Sequence, residues 1–175
     1  DVGNPTPAGS QTLSGGTWTI QGSGADIGRN SDQFHYVWQN RNGDGTLSAR
    51  VVTQTKTSSI AKAGLMLRTS TDAAAPFYAV FVTPSNGIRV YKRIATGAFM
   101  SSVVNVTGMA PAYLRVGRVG NTYTAYTSSD GVTWTAVPSS SVTLNLGSTL
   151  LAGLVVTSHN AGVLGSATFD SVTII

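Results

Sequence analysis

Short stretches in which apolar and polar residues alternate recur along the chain, and turn-forming residues separate them. Because successive side chains of a strand point to opposite faces, this two-residue period predicts half-buried strands. No stretch shows the apolar period of an amphipathic helix. The pattern therefore predicts an all-β protein of about ten short strands.

Turn-forming residues predict hairpins where Gly, Asn, Asp or Pro suits the backbone angles of a tight turn. The predicted turns are Asn42–Gly45, Pro84–Gly87, Gly120–Asn121 and Ser128–Gly131. Such connections are too short for parallel strands, whose crossovers need about a dozen residues or more. We therefore predict a single antiparallel β-sandwich of the jelly-roll type over residues 1–175.

Two predicted strands, Lys62–Arg68 and Ile88–Ile94, contain five of the eleven basic residues. In both strands apolar side chains alternate with polar ones, and only Lys92 departs from the pattern. If the strands share a sheet, one solvent-facing surface is basic and partly aromatic. It carries Lys62, Arg68, Arg89, Tyr91 and Arg93. Guanidinium groups and aromatic rings together suit a hydroxyl-rich or anionic ligand.

The composition fits a secreted domain with one core. The chain has 175 residues, of which 41% are hydrophobic and 10% are charged, and it contains neither Cys nor Glu. The lack of Cys excludes a disulfide framework and a thiolate metal site. Because the chain starts at Asp1 without an initiator Met, we expect a domain excised from a larger secreted protein. No apolar run reaches the roughly 20 residues that span a bilayer, so we expect no membrane contact.

The charge pattern argues against nucleic acid as a partner. The net charge of +4 is modest, and no window of the sequence holds a dense block of Lys and Arg. Nucleic-acid-binding proteins usually carry a denser basic patch.

Candidate catalytic groups are scarce. All seven acidic residues are Asp, whereas glycoside hydrolysis ordinarily requires two carboxyl groups across one scissile bond. Asp44 and Asp130 precede Gly in predicted turns, where local hydrogen bonds explain them. The chain has no Gly-x-Ser-x-Gly motif of a nucleophile elbow. We predict that the protein is not an enzyme, although a catalytic triad is defined by geometry and not by sequence order.

A series of short motifs follows one order along nearly the whole chain. The motifs are Gly15–Ile20, Gly24–Ile27, Ser31–Tyr36, Gly43–Thr46, Ala61–Arg68, Thr83–Pro84, Ser128–Trp134, Thr157–Asn160 and Ala167–Val172. They resemble the concanavalin A-like, laminin-G-like jelly-roll domains appended to secreted bacterial polysaccharide-degrading enzymes and surface proteins. The resemblance implies a two-sheet sandwich whose concave sheet commonly binds glycans, often with a structural calcium away from the sugar. The family often has Trp after the Asp-Ile pair, where this chain has Gly28.

The basic surface and the resemblance together suggest where a ligand binds. We predict binding on the concave sheet by Arg68, Arg89, Tyr91 and Arg93. We place at the rim of that sheet Lys62, Tyr126, His159 and Asn160. The alternative is that these cations only solvate an exposed sheet and discourage edge aggregation.

Metal ligands have no readable spacing here. Calcium takes several oxygen ligands that loops can supply, and Asp1, Asp26 and Asp170 are the candidate donors. These carboxylates could equally accept hydrogen bonds from neighbouring backbone amides. Zinc does not fit two distant His residues without Cys.

The Trp residues are predicted to pack rather than to bind. Trp38 shares a predicted face with Phe34 and Tyr36, which favours the core. Trp134 follows the Ser128–Gly131 turn, and we expect it to cap that hairpin against the core.

We therefore predict a non-catalytic carbohydrate-binding module that targets or anchors a secreted enzyme to a polysaccharide. Its expected partners are a polysaccharide or oligosaccharide and other domains of the parent protein. The Arg residues favour acidic or fructose-based polymers. The alternative is a structural or adhesive module that packs against a neighbouring domain or protein.

Overall fold

The computed structural model describes residues 1–175 and contains strands without any helix. The sixteen strands are β1 (Ser10–Ser14), β2 (Thr17–Gly22), β3 (Ile27–Gly28), β4 (Ser31–Asp32), β5 (His35–Asn42), β6 (Gly45–Gln54), β7 (Lys62–Arg68), β8 (Phe77–Val82), β9 (Ile88–Arg93), β10 (Ser101–Val106), β11 (Ala112–Val119), β12 (Thr122–Ser128), β13 (Thr135–Ala136), β14 (Val142–Thr143), β15 (Thr149–Thr157) and β16 (Gly165–Ile174). No helix is therefore available to cross a membrane.

The strands form two large antiparallel sheets. The eight-stranded sheet has the order β1-β2-β16-β6-β11-β12-β13, with β14 also paired to β12. The six-stranded sheet has the order β10-β9-β8-β7-β15-β5, and β3 pairs only with β4. The predicted two-sheet antiparallel sandwich is thereby confirmed.

The inner faces of the two sheets enclose a core cluster of 25 buried residues. Alternate residues of each strand contribute, as in Leu65 and Leu67 of β7 or Leu114 and Val116 of β11. At roughly 25 cal/mol per Å² of apolar surface, this burial is the main stabilising contribution to the fold. The outer faces of both sheets remain available for other uses.

A second cluster of 11 buried residues lies on the outer face of the six-stranded sheet. We call residues 23–34 the covering loop, because it packs across this face. Its apolar anchors are Ile27 and Phe34, which are fully buried. Val2 joins them through a β-bridge to Phe34. The middle of this sheet face is consequently closed to solvent.

Some predicted connections are confirmed and one is wrong. The hairpins β8–β9 and β11–β12 form at Pro84–Gly87 and Gly120–Asn121. The turn at Asn42–Gly45 does not make a hairpin, because β5 belongs to the six-stranded sheet and β6 to the eight-stranded sheet. The chain crosses between the sheets at this point. Residues that permit a turn do not determine where the next strand pairs.

Candidate functional site

The predicted basic residues do share one face of one sheet. The register aligns Arg68 of β7 with Phe77 of β8 and Arg93 of β9. Two residues before these Arg residues, Met66 of β7 and Tyr91 of β9 occupy the same face. This is the outer face of the six-stranded sheet, so the placement inferred from the two-residue period is confirmed.

The prediction that this face is open to solvent is wrong. Arg68 and Arg93 are completely buried, and both bind the carboxylate of Asp32 in the covering loop. Oδ2 of Asp32 accepts from Nη1 of Arg68 at 2.7 Å and from Nη1 of Arg93 at 2.6 Å. Oδ1 accepts from Nη2 of Arg93 at 2.7 Å and from the backbone N of Gly28 at 3.0 Å. We call Asp32, Arg68 and Arg93 the buried triad.

Aromatic rings and backbone carbonyls complete the surroundings of the triad. The guanidinium of Arg68 lies 5.4 Å from the ring centroid of Phe34, and that of Arg93 lies 5.1 Å from the centroid of Phe77. Arg93 also donates to the carbonyl of Gly28 at 3.1 Å. Two of the predicted ligand-binding residues therefore hold the covering loop on the sheet in this structure.

Arg89 and Tyr91, predicted on the concave sheet, and Lys62, predicted at its rim, are also bonded within the protein. Lys62 is 3% exposed, and its Nζ donates to Oδ1 of Asp26. Arg89 donates from Nη1 to the hydroxyl of Tyr91 at 2.7 Å, and the Tyr91 ring is buried. The Lys62 Nζ lies 5.9 Å from the centroid of that ring. Ligand contact by these three residues stays a prediction.

A cleft opens beside Asp26, at the edge of the covering loop. We call it the rim cleft; its volume is about 440 Å³, and its polar lining residues are Asp26, Arg29, Ser31, Gln33 and His159. The side chain of Asp26 is 29% exposed and that of His159 is 27% exposed. Nδ1 of His159 lies 2.9 Å from Oδ1 of Asp26, without the geometry of a hydrogen bond. The cleft thus presents a carboxylate, an imidazole, a guanidinium and a hydroxyl to solvent.

Sequence reasoning identified only part of this cleft. His159 was predicted at the rim of the basic sheet, and Asp26 was predicted as a calcium donor and not as a ligand-binding residue. Arg29, Ser31 and Gln33 lie in the covering loop, whose sequence has no two-residue period, and Arg29 adopts a positive φ of 43°. The sequence therefore gave no indication that their side chains surround one opening.

The remaining two predicted binding residues lie in different places. Tyr126 belongs to β12 of the eight-stranded sheet, so its predicted place at the rim of the basic sheet is wrong. Asn160 is exposed beside the rim cleft, where its backbone N donates to the carbonyl of Gly24 at 3.2 Å. Trp38 was predicted to pack in the core, but it is 44% exposed.

The candidate calcium donors do not come together. Oδ1 of Asp1 lies 2.8 Å from Nδ1 of His35, and the carboxylate of Asp26 binds Lys62. Asp170 accepts from Nε of Arg50 at 2.9 Å, which holds the pKa of that carboxyl below its usual range. No group of three or more His or Asp side chains is placed to hold a metal ion. Asp1, Asp26 and Asp170 therefore do not form one calcium site together, and a structural calcium stays a prediction.

Comparison with known proteins identifies solved structures that share this fold. No protein-family model matches the chain, and no curated protein matches it. A functionally unknown protein from Saccharomyces cerevisiae superposes with a TM-score of 0.72 at 19% identity, over 98% of this chain and 92% of that chain. The carbohydrate-binding module CBM66 from Bacillus subtilis gives 0.56 at 16% identity, over 98% and 91%. The fold is the predicted concanavalin A-like jelly roll.

The same jelly roll also occurs within a larger protein. The GH43 BlXynB protein from Bacillus licheniformis superposes with a TM-score of 0.68 at 16% identity. The match covers 95% of this chain and 34% of that chain. This chain thus spans about a third of the GH43 protein and about nine-tenths of the other two.

Proposed function

We propose that this protein is a non-catalytic carbohydrate-binding module that binds a polysaccharide at the rim cleft. The observation that carries the proposal is the Asp26 carboxylate, which Lys62 fixes from the buried side while its solvent side faces the cleft. A carboxylate in a fixed orientation can accept hydrogen bonds from two neighbouring sugar hydroxyls.

The other groups of the cleft complement that carboxylate. Arg29 is exposed and makes no side-chain hydrogen bond within the protein, so its five N–H donors are free for hydroxyl or uronate oxygens. The Ser31 hydroxyl and the His159 imidazole each offer a further polar contact. Because Lys62 neutralises Asp26, the cleft accommodates neutral sugars as well as acidic ones.

The arrangement of carboxylates supports binding without hydrolysis. Asp26 is the one carboxylate that lines the rim cleft. The nearby Asp32 is 1% exposed and already accepts four hydrogen bonds from guanidinium and backbone groups. A glycosidase of the common type requires two accessible carboxyl groups across the scissile bond.

The comparisons and the composition support the wider role. One solved protein of the same fold is a carbohydrate-binding module, and the fold also occupies part of a GH43 protein. We propose that this domain likewise belongs to a secreted enzyme and anchors it to its polysaccharide. The low content of charged residues agrees with a secreted domain.

Affinity electrophoresis tests this proposal against neutral, fructan and uronate-containing polysaccharides. We expect one class to retard the protein, and we expect Arg29→Gln and Asp26→Asn each to weaken binding by about tenfold or more, because each removes a charge-assisted hydrogen bond. Lys56→Gln is the matched control, since Lys56 is exposed outside the cleft. A parallel run with chelator tests whether a structural calcium contributes to binding. Retardation that neither cleft variant reduces would refute the rim cleft as the site.

The alternative of an adhesive module rests on the loop after β9. Ile94 and Phe99 are 60% and 72% exposed there, and exposed apolar side chains favour contact with another protein surface. If every polysaccharide class leaves the migration unchanged, this alternative replaces the carbohydrate-binding proposal.

A further inference from the structure

The outer face of the eight-stranded sheet carries a second polar and aromatic cleft. Arg115 of β11 lies directly opposite Tyr126 of β12, and Trp134 follows in the loop before β13. The cleft beside these residues has a volume of about 460 Å³. Thr46 and Thr124 also line it, as does Asp44, whose Oδ1 accepts a hydrogen bond from the backbone N of Gly120. We call it the Arg115 cleft. It lies on the other sheet from the rim cleft.

The guanidinium of Arg115 has no hydrogen-bond acceptor within the protein, unlike the guanidinium groups of two other Arg residues on the same sheet. Arg50 binds Asp170, and Arg118 donates to three backbone carbonyls. The side chain of Arg115 makes no hydrogen bond or ion pair, and its Nε is shielded from solvent without an acceptor. Partial burial lowers the pKa of this guanidinium, because desolvation disfavours its charged form. An anion that reached the two Nη groups would supply a counter-charge.

Trp134 orients the Arg115 guanidinium. The centre of the guanidinium lies 3.9 Å from the centroid of the Trp134 ring, which is a close cation–π contact. The expectation that Trp134 caps its hairpin against the core is wrong, because the ring lies beneath Arg115 on the outer face. The Trp134 ring therefore packs against one face of the guanidinium, and the N–H groups at the edge of the guanidinium are directed towards the cleft.

The turn before Trp134 is itself rigid. Oδ1 of Asp130 accepts hydrogen bonds from the backbone N of Val132 at 2.8 Å and of Thr133 at 2.7 Å. These bonds keep the pKa of Asp130 well below its usual range. The Trp134 ring is thus held by a turn that is already bonded before any ligand arrives.

Gly117 gives the cleft its aromatic wall. A Cβ atom at this position would lie 3.2 Å from Cε2 of Tyr126. Because Gly117 has no side chain, the Tyr126 ring can lean across β11 towards it. The ring then borders the cleft together with the side chains of Thr46 and Thr124.

We propose that the Arg115 cleft is a second binding site, specific for an acidic sugar residue. The sugar carboxylate pairs with the Nη groups of Arg115, and the C–H face of the pyranose ring packs on Tyr126. Two planar donors matched to a carboxylate give a bidentate pair, while an aromatic ring packs well against sugar C–H groups. Threonine hydroxyls at the margin can meet the ring hydroxyls. The site does not depend on the rim cleft.

The chemistry of the cleft favours this ligand over two simpler ones. A neutral sugar would leave the partly desolvated guanidinium uncompensated, which is unfavourable. A small anion such as acetate would pair with Arg115 but would leave the Tyr126 ring and the threonine hydroxyls without contacts. An acidic sugar uses both parts of the cleft.

Proton–nitrogen NMR of the indole N–H groups provides the direct test, because the wild-type protein has only three Trp residues. The probes are a galacturonate oligomer, a neutral galactose oligomer of equal length, and acetate. We expect the galacturonate oligomer to shift the Trp134 resonance with an affinity at least tenfold above either comparison ligand. Equal shifts with acetate, or no shift with the galacturonate oligomer, would overturn the proposal.

Variants separate this site from the rim cleft. Arg115→Gln and Arg115→Lys are expected to weaken galacturonate binding by about 10- to 100-fold, since neither retains the planar pair of donors. Lys56→Gln, which removes the same charge elsewhere, is expected to change it little. Arg29→Gln changes only the rim cleft. If this variant loses affinity for the polysaccharide while galacturonate still shifts the Trp134 resonance, the protein has two separate sites. A Trp134 shift that persists unchanged in both Arg115 variants would refute the assignment.

Discussion

Replacing Asp32 with asparagine is expected to lower the free energy of unfolding by about 3–5 kcal/mol. The substitution removes the only carboxylate that contacts Arg68 and Arg93, both of which are completely buried. An amide supplies one acceptor oxygen and no charge, so two guanidinium groups would remain in the interior without a counter-ion. Breaking a buried ion pair on one side costs far more than losing a surface pair.

Chemical denaturation of the purified protein measures this loss. The matched control is Asp44→Asn, because Asp44 is exposed and accepts one hydrogen bond, from the backbone N of Gly120 at 2.7 Å. An asparagine can accept the same bond, so the control should change stability by less than about 1 kcal/mol. If both variants unfold at the same denaturant concentration, Asp32 does not anchor the covering loop.

Replacing Gly64 with alanine is expected to cost about 3 kcal/mol of stability. Gly64 lies in β7, near the middle of the six-stranded sheet. A Cβ atom there would lie 2.1 Å from the carbonyl oxygen of Val80 and 2.8 Å from Cα of Phe81. Both obstacles are backbone atoms of the paired strand, so no side-chain rotation relieves the overlap. Strand β8 would have to move.

Gly165→Ala is the matched control for this second substitution. Gly165 is a buried strand residue as well, but a Cβ atom there would approach Cα of Ser158 only to 3.4 Å, an ordinary contact. Thermal unfolding monitored by circular dichroism should show a clear decrease in the melting temperature for Gly64→Ala and a small change for the control. Equal melting temperatures would show that the paired strands adapt to the methyl group.

The two-residue period predicted which side chains share a sheet face, but not what covers that face. It placed Arg68 and Arg93 together, and the register confirms this. A period is a local property, whereas the burial of these residues depends on Asp32, which lies 36 positions before Arg68 in the chain. The expectation of an exposed basic surface failed because this long-range partner lies in a segment without a regular pattern.

Long-range contacts also decide which residues form the rim cleft and which strands belong to each sheet, so a local sequence pattern does not predict either. His159 was expected near a binding site because it follows a strand, but Arg29 and Ser31 lie in a loop whose path depends on the triad. Tyr126 faces the polar side of its strand, yet the sequence does not determine to which sheet that strand belongs. Turn residues predicted β8–β9 and β11–β12 correctly because the pairing partners there are adjacent in sequence.

Within the covering loop, residues that stabilise the fold and residues that could bind a ligand are neighbours in the sequence. Asp32 points into the sheet, where its carboxylate is fully bonded, whereas Ser31 and Gln33 on either side of it line the rim cleft. Evolution can therefore change the exposed residue at 31 while Asp32 keeps the loop in place, whereas the side chain of Gln33 itself holds the loop through Ala25 and Gly3. Related domains could acquire different sugar specificities through a changed side chain in the cleft, while the backbone of the loop stays the same. Because the loop is ordered before binding, a new ligand would gain affinity without the entropic penalty of folding it.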